Sequence, residues 1–406
     1  MDASGIIAEF DPFHNGHKYL LDTVHAELPS HALVCVMSGN FVQRGMPAVC
    51  DKFVRAEAAV RCGADLVLEL PFVYACNSAP EFAKGGVKVL KAAGCSHIAF
   101  GSESGDVKKI SRAAELSAGE SDEFKAKLRE GMEGGGSYAS AYSAALSLVD
   151  PASDGLRGSP NDMLAAEYLK QNLLQEAGLE PLCVRRRGAG HGSMQSEELG
   201  YSSASAVREQ IARGDMKKVI VNLPEEIHEL ALSASYNSTE AKHRLFEIIR
   251  YSIITGGAVS LSGIYGMNEG LENAFAKAAV IAPNTNDLIM AVKTRRYTYA
   301  RLSRLLMYII TGLKADEAEF LLSRPLPYIR PLAMNSRGAA LLRGVRERGE
   351  IDVVSNINRY VPEKDPAAAA MMLRYELLSS DIYSIISGIS IYQGSDRVKS
   401  PFVLKS

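Results

Sequence analysis

The chain lacks a long apolar run, a paired-cysteine motif and an excess of either charge. No stretch approaches the ~20 uninterrupted apolar residues that cross a bilayer as a helix. The six cysteines, Cys35, Cys50, Cys62, Cys76, Cys95 and Cys183, are scattered and form no C-x-x-C pair. That spacing argues against zinc and against a redox dithiol. Most lie in apolar runs and read as small core residues. Lysine plus arginine number 45 and aspartate plus glutamate 47, a formal net charge of −2. Such a balance excludes a globally basic nucleic-acid coat and leaves room for a local basic patch. Internal repeats and long low-complexity tracts are also missing. Residues 1–9 carry acid where a secretion signal carries base, so the expected location is cytoplasmic.

What is present fits a globular protein. The 406 residues are 47 % hydrophobic and 23 % charged, enough for two to three domains. Short apolar runs at 5–10, 32–37, 64–70 and 96–100 read as strands. Amphipathic stretches at 17–28, 52–62 and 80–93 read as helices, the last two followed by Gly63 and Gly94. The alternation predicts an α/β fold, a Rossmann-like parallel sheet with helices on both faces. Ligands on such sheets bind beyond the C-terminal ends of the strands. Residues 11–17, 38–44 and 101–103 therefore become site candidates.

Residues 105–178 are mixed, with a glycine joint at 134–137 and a helix at 163–173 opened by Ser159-Pro160-Asn161-Asp162. A short strand at 182–184 runs into Arg185-Arg186-Arg187. From about Pro224 the pattern is mostly helical. The expected division is a catalytic domain at 1–222, with a helical insertion at about 105–178, and a mainly α-helical domain at 223–406.

The sharpest local signal is Asp11-Pro12-Phe13-His14-Asn15-Gly16-His17, between the first strand and first helix. Histidines three apart at a helix start suit a phosphate, through the helix N–H groups and through their own donors. Gly16 would admit a nucleotide close to the backbone. Two surface histidines is the plainer reading, and the strand–turn–helix context weighs against it. A second anion signal is Ser202-Ser203-Ala204-Ser205-Ala206-Val207-Arg208, hydroxyl residues leading into a helix with an early arginine. Gly188-Ala189-Gly190-His191-Gly192 lacks the full dinucleotide fingerprint, so a redox cofactor is set aside.

Together, H-x-G-H and S-S-x-S-x-x-R resemble the nucleotidylyltransferase superfamily. Longer stretches narrow the resemblance: residues 5–17, 37–45 (Met-Ser-Gly-Asn-Phe-Val-Gln-Arg-Gly), 65–72, 100–103, 160–164, 186–190 and 295–301. On these the chain resembles the tRNA(Met) cytidine acetate ligase family. The resemblance implies that acetate attacks the α-phosphate of ATP, releasing pyrophosphate and leaving acetyl-adenylate. The acetyl group then passes to N4 of the wobble cytidine of elongator tRNA(Met). It implies ATP contacts by Ile7, Ala8, Glu9, Phe10, Asp11, Pro12, Phe13, His14, Asn15, Gly16, His17, Lys18, Tyr19 and Leu20, with Gly101, Asn161 and Arg186. It places His14 and His17 as catalytic groups at the triphosphate and Arg208 near the β and γ phosphates, with Mg²⁺ accompanying ATP. The chain departs from the family pattern at Phe10-Asp11, Asn161-Asp162 and His191. An aspartate at 11 would repel a triphosphate unless it binds Mg²⁺ or caps the helix.

Charge is unevenly spread. Residues 1–220 carry net −5 and residues 221–406 net +3. Residues 288–315 contain no acid and six bases: Lys293, Arg295, Arg296, Arg301, Arg304 and Lys314. Leu302, Leu305, Leu306 and Ile309 give this window an apolar helical face. Lys293, Arg295, Arg296, Tyr297, Arg301 and Arg304 are the tRNA-binding candidates, with Tyr297 and Tyr299 able to stack on an unpaired base. A solvated basic face with tyrosines in the core stands equally. Two rival functions remain open: a small-molecule adenylyltransferase of the same fold, and a non-catalytic tRNA-binding protein.

Overall fold

The structure is a computed structural model. It describes residues 1–405 except 120, 135–137, 150–158, 188–199, 235 and 237. The strands are β1 (Ala3–Ala8), β2 (Ala32–Ser38), β3 (Phe41–Val42), β4 (Met46–Pro47), β5 (Leu66–Leu70), β6 (His97–Ser102), β7 (Glu180–Arg185), β8 (Tyr328–Ile329), β9 (Pro331–Met334), β10 (Asp352–Val353) and β11 (Phe402–Val403). The first half contributes helices α1 (Asn15–Glu27), α2 (Lys52–Arg61), α3 (Phe72–Ala75), α4 (Ala79–Ala93), α5 (Val107–Gly119), α6 (Asp122–Glu133), α7 (Tyr138–Val149), α8 (Pro160–Leu174), α9 (Ala204–Ala212) and α10 (Met216–Val221). The second half adds α11 (His228–Ser233), α12 (Thr239–Ser262), α13 (Leu271–Ile281), α14 (Thr285–Val292), α15 (Tyr299–Thr311), α16 (Ala315–Ser323), α17 (Ser336–Arg348), α18 (Pro366–Ser387) and α19 (Ile391–Gly394).

Among the described residues the main sheet has seven strands in the order β11-β9-β5-β2-β1-β6-β7. Alternate residues of its central strands feed two cores, as the two-residue period of a strand requires. Ile7, Val34, Val36, Leu66 and Leu68 join one core with Phe82 of α4, Ile110 of α5 and Tyr168 of α8. Ile6, Cys35, Met37 and Val67 join the other with Leu21 of α1, Ala59 of α2 and Val207 of α9. Helices on both faces explain why these strands are apolar throughout. Five of the six cysteines are buried and all are free.

The second half is mainly helical, and it also returns to the first. β9 pairs antiparallel with β5, and β11 pairs parallel with β9. The sheet is thus parallel from β5 to β7 but not at its β9 edge. Pro331, which has no N–H to donate, sits where the β5–β9 register shifts. The expected boundary near 222 falls between α10 and α11, yet residues 331–334 and 402–403 belong to the nucleotide-type sheet. Such short strands carry no periodic signal, so the sequence does not announce them.

A buried charge cluster locks this junction. Lys52 of α2 bonds Glu69 of β5 at 2.5 Å and Asp396 at 2.6 Å, and Arg330 bonds the same two acids at 2.8 and 2.6 Å. Among the described residues no helix is long and apolar enough to cross a membrane.

Candidate active site

A cavity of about 370 Å³ opens at the C-terminal ends of β1, β6 and β7, a size that suits a small-molecule ligand. After β1 the chain bends through Phe10, whose φ of 47° is unusual for a residue with a side chain. The Phe10 ring is buried and lies 4.9 Å from the rings of Phe13 and His17, which holds that bend in place.

His14 caps α1. Its Nδ1 accepts from Gly16 N at 3.0 Å, and His17 Nδ1 accepts from His14 N at 3.2 Å. With both Nδ1 atoms acting as acceptors, the neutral rings carry their protons on Nε2. The two rings stack with centroids 3.7 Å apart and both line the cavity. Burial, with Arg186 and Arg208 nearby, pushes His14 down to about 3. Burial, His14 and Arg186 push His17 well below its ordinary range. The pair is therefore neutral near pH 7 and offers two Nε2–H donors. Gly16 has a local reason: a Cβ there would sit 2.9 Å from His14 Cε1.

The expectation that free helix N–H groups meet the ligand needs correction. Asn15 N bonds Asn222 O, Gly16 N bonds His14 Nδ1, and His17 and Lys18 N both bond His14 O. These donors are spent inside the protein, so the imidazoles stand in for them.

Cations flank the pair. Arg208 of α9 donates to Asp11 O at 2.6 Å and to Ser205 Oγ at 3.1 Å. Asp11 accepts from Val49 N at 2.6 Å, and its other oxygen lies 3.5 Å from Arg208. The unexpected aspartate is thus a brace for Arg208, neutralised by it. Arg186 reaches Asn161 Oδ1 at 3.5 Å, and a Cβ on Gly101 would come within 3.3 Å of its Cγ. Gly101 thereby makes room for the arginine. Arg187 lies over the Tyr19 ring at 4.3 Å.

The start of α8 is fastened to the end of β6. Glu103 accepts from Asn161 N at 3.2 Å, Asn161 Nδ2 at 2.5 Å and Asp162 N at 3.0 Å. Asp162 accepts in return from Glu103 N at 2.9 Å, Ser104 N at 3.1 Å and the Ser102 hydroxyl. Glu103 holds Asn161 at the cavity wall by filling the orphan donors of α8.

Of the expected segment, Ile7, Ala8, Glu9, Phe10, Asp11, His14, Gly16, His17, Tyr19 and Leu20 line the cavity, as do Gly101, Asn161, Arg186 and Arg208. Pro12, Phe13, Asn15 and Lys18 do not. Pro12 and Phe13 pack toward α2, and Asn15 Nδ2 bonds Gly200 O and Val221 O. Lys18 pairs with Asp22 and Glu226. The glycine-rich stretch 188–192, with His191, lies outside the described residues. Sequence reading missed an aromatic flank made by Phe82, Tyr142, Met163, Leu164, Glu167 and Tyr168. The spacing of Met163, Leu164, Glu167 and Tyr168 behind Asn161, one helical face, was its available signal. Among the described residues no group of three His, Cys, Asp or Glu could hold a metal ion. Glu9 and Asp11 are carboxylates that a magnesium ion arriving with phosphates would meet in the cavity.

The basic window behaves differently from its sequence. Glu269, brought from the turn before α13, pairs with Arg296 at 2.5 Å and accepts from the Tyr297 hydroxyl at 2.5 Å. The Tyr297 ring is buried and covered by Arg301 at 4.8 Å, so the core reading holds for it. Tyr299 is 37 % exposed. Lys293 and Arg295 are exposed. Arg304 donates to Gln43 O at 3.3 Å, and the Ser303 hydroxyl donates to Gly45 O at 2.7 Å. Here α15 grips the β3–β4 hairpin, whose residues Gln43 and Arg44 line the cavity.

Comparison with known proteins agrees with this geometry. The family model described as HIGH Nucleotidyl Transferase matches residues 1–397. A tRNA(Met) cytidine acetate ligase of Caldicellulosiruptor saccharolyticus is 34 % identical over 387 residues, 95 % of this chain and 94 % of that one. Its counterpart in Syntrophotalea carbinolica is 35 % identical over 410 residues, 96 % of each chain. The crystal structure of Thermotoga maritima TmcAL bound with alpha-thio ATP superposes with a TM-score of 0.89 at 28 % identity, covering 100 % of both chains. With its stacked histidine pair at the end of β1 and this full-length similarity, the chain belongs to the tRNA(Met) cytidine acetate ligase family of HIGH nucleotidyl transferases.

Proposed function

We propose that the protein activates acetate with ATP and transfers the acetyl group to N4 of the wobble cytidine of elongator tRNA(Met). The observation that carries this reading is the neutral His14–His17 pair with two Nε2–H donors, set between Arg186 and Arg208 in one cavity. A pentavalent α-phosphate gains negative charge as acetate attacks and pyrophosphate departs. Fixed donors in a desolvated cavity stabilise that charge without reorganising. Arg186 and Arg208 balance the phosphates, and their bonds to Asn161 and Asp11 hold them in position. Gly101 and Asn161 line the wall where the nucleoside would lie. Glu9 and Asp11 line the cavity and would meet a magnesium ion bound with the triphosphate, which would neutralise phosphate charge.

On the RNA side, exposed Lys293, Arg295 and Tyr299 and the half-buried Arg301 and Arg304 form the approach of the anticodon loop. Arg296 contributes less, being paired with Glu269. A wobble base is already single-stranded and can be splayed into a cavity without breaking a duplex pair.

The test is purified protein with ATP, acetate and tRNA(Met). Pyrophosphate and N4-acetylcytidine are the expected products. Turnover of a small-molecule acceptor with no modified tRNA would support the adenylyltransferase alternative instead.

A further inference from the structure

The basic window and the histidine pair belong to different halves of the chain, and the β3–β4 hairpin touches both. Resting on the reading above, we propose that Arg44, at the tip of this hairpin, binds the RNA backbone phosphate beside the wobble nucleotide. It thereby fixes the strand while the base enters the cavity.

The hairpin backbone is clamped from two sides. On the side of β1, Gln43 N donates to the Glu9 carboxylate at 2.6 Å. On the side of α15, the Ser303 hydroxyl donates to Gly45 O at 2.7 Å, and Arg304 donates to Gln43 O at 3.3 Å. Gly45 N closes the turn on Val42 O at 2.9 Å. Gly45 has a φ of 76°, and a Cβ there would lie 2.3 Å from Arg304 N, so only glycine lets the turn come this close to the helix. Residues 43 and 45 are fixed, and the residue between them is presented outward.

The side chain so presented is uncommitted. Arg44 is exposed and lines the cavity. Among the described residues no hydrogen bond or ion pair holds its guanidinium. The other cavity arginines are engaged: Arg208 with Asp11, Arg186 with Asn161, and Arg187 over the Tyr19 ring. A guanidinium on a rigid turn offers its fork of donors to a phosphate with little further ordering of the backbone.

Arg44 also stands apart from the groups assigned to the triphosphate. Arg186 and Arg208 are the cations whose charge depresses His14, and Arg186 is the one that depresses His17. The charge of Arg44 is felt at Glu9 and at neither histidine. It therefore borders the side of the cavity nearest α15. Arg301 and Arg304, three residues apart, share one face of that helix, and Arg304 ends on the hairpin. Arg44 continues this row of cations to the cavity rim. A phosphate held there leaves the adjoining base free to turn inward, where Phe82, Tyr142 and Tyr168 offer aromatic surface.

Arg44→Ala keeps the backbone bonds of residues 43 and 45. Two reactions are read at saturating ATP: pyrophosphate release with acetate alone, and N4-acetylcytidine formation on tRNA(Met) over a range of salt. The kcat/KM for tRNA should fall about tenfold, the worth of one charge-assisted hydrogen bond, and by at least about fivefold more than pyrophosphate release. The salt slope of that kcat/KM should drop by about one unit, as one lost phosphate contact requires. Arg44→Lys should recover the slope more fully than kcat/KM, because it keeps the charge and loses the fork. An unchanged salt slope, equal loss in both reactions, or a loss confined to KM for ATP overturns the proposal, the last by giving Arg44 to the triphosphate. Wild-type protein that releases no pyrophosphate and acetylates no tRNA overturns the underlying reading, a result distinct from these.

Discussion

Two charged clusters lie in this molecule, and they differ in how their charge is matched. Around Lys52 and Arg330, Glu69 and Asp396 supply an acid for each base, and the bonds run between 2.5 and 2.8 Å. Around His14 and His17, Arg44, Arg186, Arg187 and Arg208 line the cavity against Glu9, Glu167 and Asp11, the last braced against Arg208. The first cluster pairs each base with both acids, and among the described residues only Asp396 Oδ1 of its buried oxygens is left without a partner. The second keeps a positive surplus in a space large enough for a ligand. A paired cluster holds elements together, and one with a surplus waits for an anion.

The largest expected effect breaks the paired cluster. Lys52→Met leaves Glu69 and Asp396 buried with one cation between them. Unfolding free energy should fall by about 3–5 kcal/mol, read by urea denaturation. An unchanged midpoint would remove the distinction drawn between the clusters.

Removing a donor from the cavity cluster should act on chemistry first. His17→Ala is expected to lower pyrophosphate release about 10²–10³-fold, equivalent to roughly 2.7–4 kcal/mol. If the loss appears only as a raised KM for ATP, the imidazole binds the ground state and does not favour the transition state.

Acid sharpens the contrast further. The unfolded chain takes up the His14 proton near 6.5, and the folded chain resists until about 3. The unfolded state therefore holds more protons in that window, and stability should fall as pH drops through it. Asp396, held at about 2 against an ordinary 3.8 by Lys52 and Arg330 despite its burial, adds loss in the same direction at the lower end. A bound nucleotide favours protonated imidazole and should flatten the His14 part alone. Thermal midpoints across pH 2 to 7, with and without an ATP analogue, separate the two contributions.

The smallest effect concerns the basic window. Lys293→Ala or Arg295→Ala should each lower the salt slope of tRNA binding by about one unit. Arg296→Ala should lower it less, since Glu269 already pairs that charge. Equal slopes for all three variants would mean that Glu269 releases Arg296 to RNA.

Legibility followed distance along the chain. The motif was readable because its cap, bend and histidine pair all lie within eight residues, 10–17. Four strands were readable as short apolar runs, and the helices between them by the periodic face each buries. The aromatic flank was not, because α4, α7 and α8 contribute it from separate stretches. The partners of the basic window were hidden for the same reason: Glu269 and Gln43 reach it through space. Asp11 looked out of place until Val49 and Arg208, far apart in sequence, were seen to share it.

The β9–β11 edge has a consequence for how the chain is made. β1, β2 and β5 leave the ribosome well before β9 (Pro331–Met334) and β11 (Phe402–Val403), which pair with each other and, through β9, with β5. Long-range pairings of this kind form late. Until then β5 has an open edge that invites strand addition. Synthesis through residue 403 precedes closure of the sheet, so a product shortened before β9 would keep the histidine motif and still expose that edge. The second half cannot be removed without opening the sheet that the first half begins.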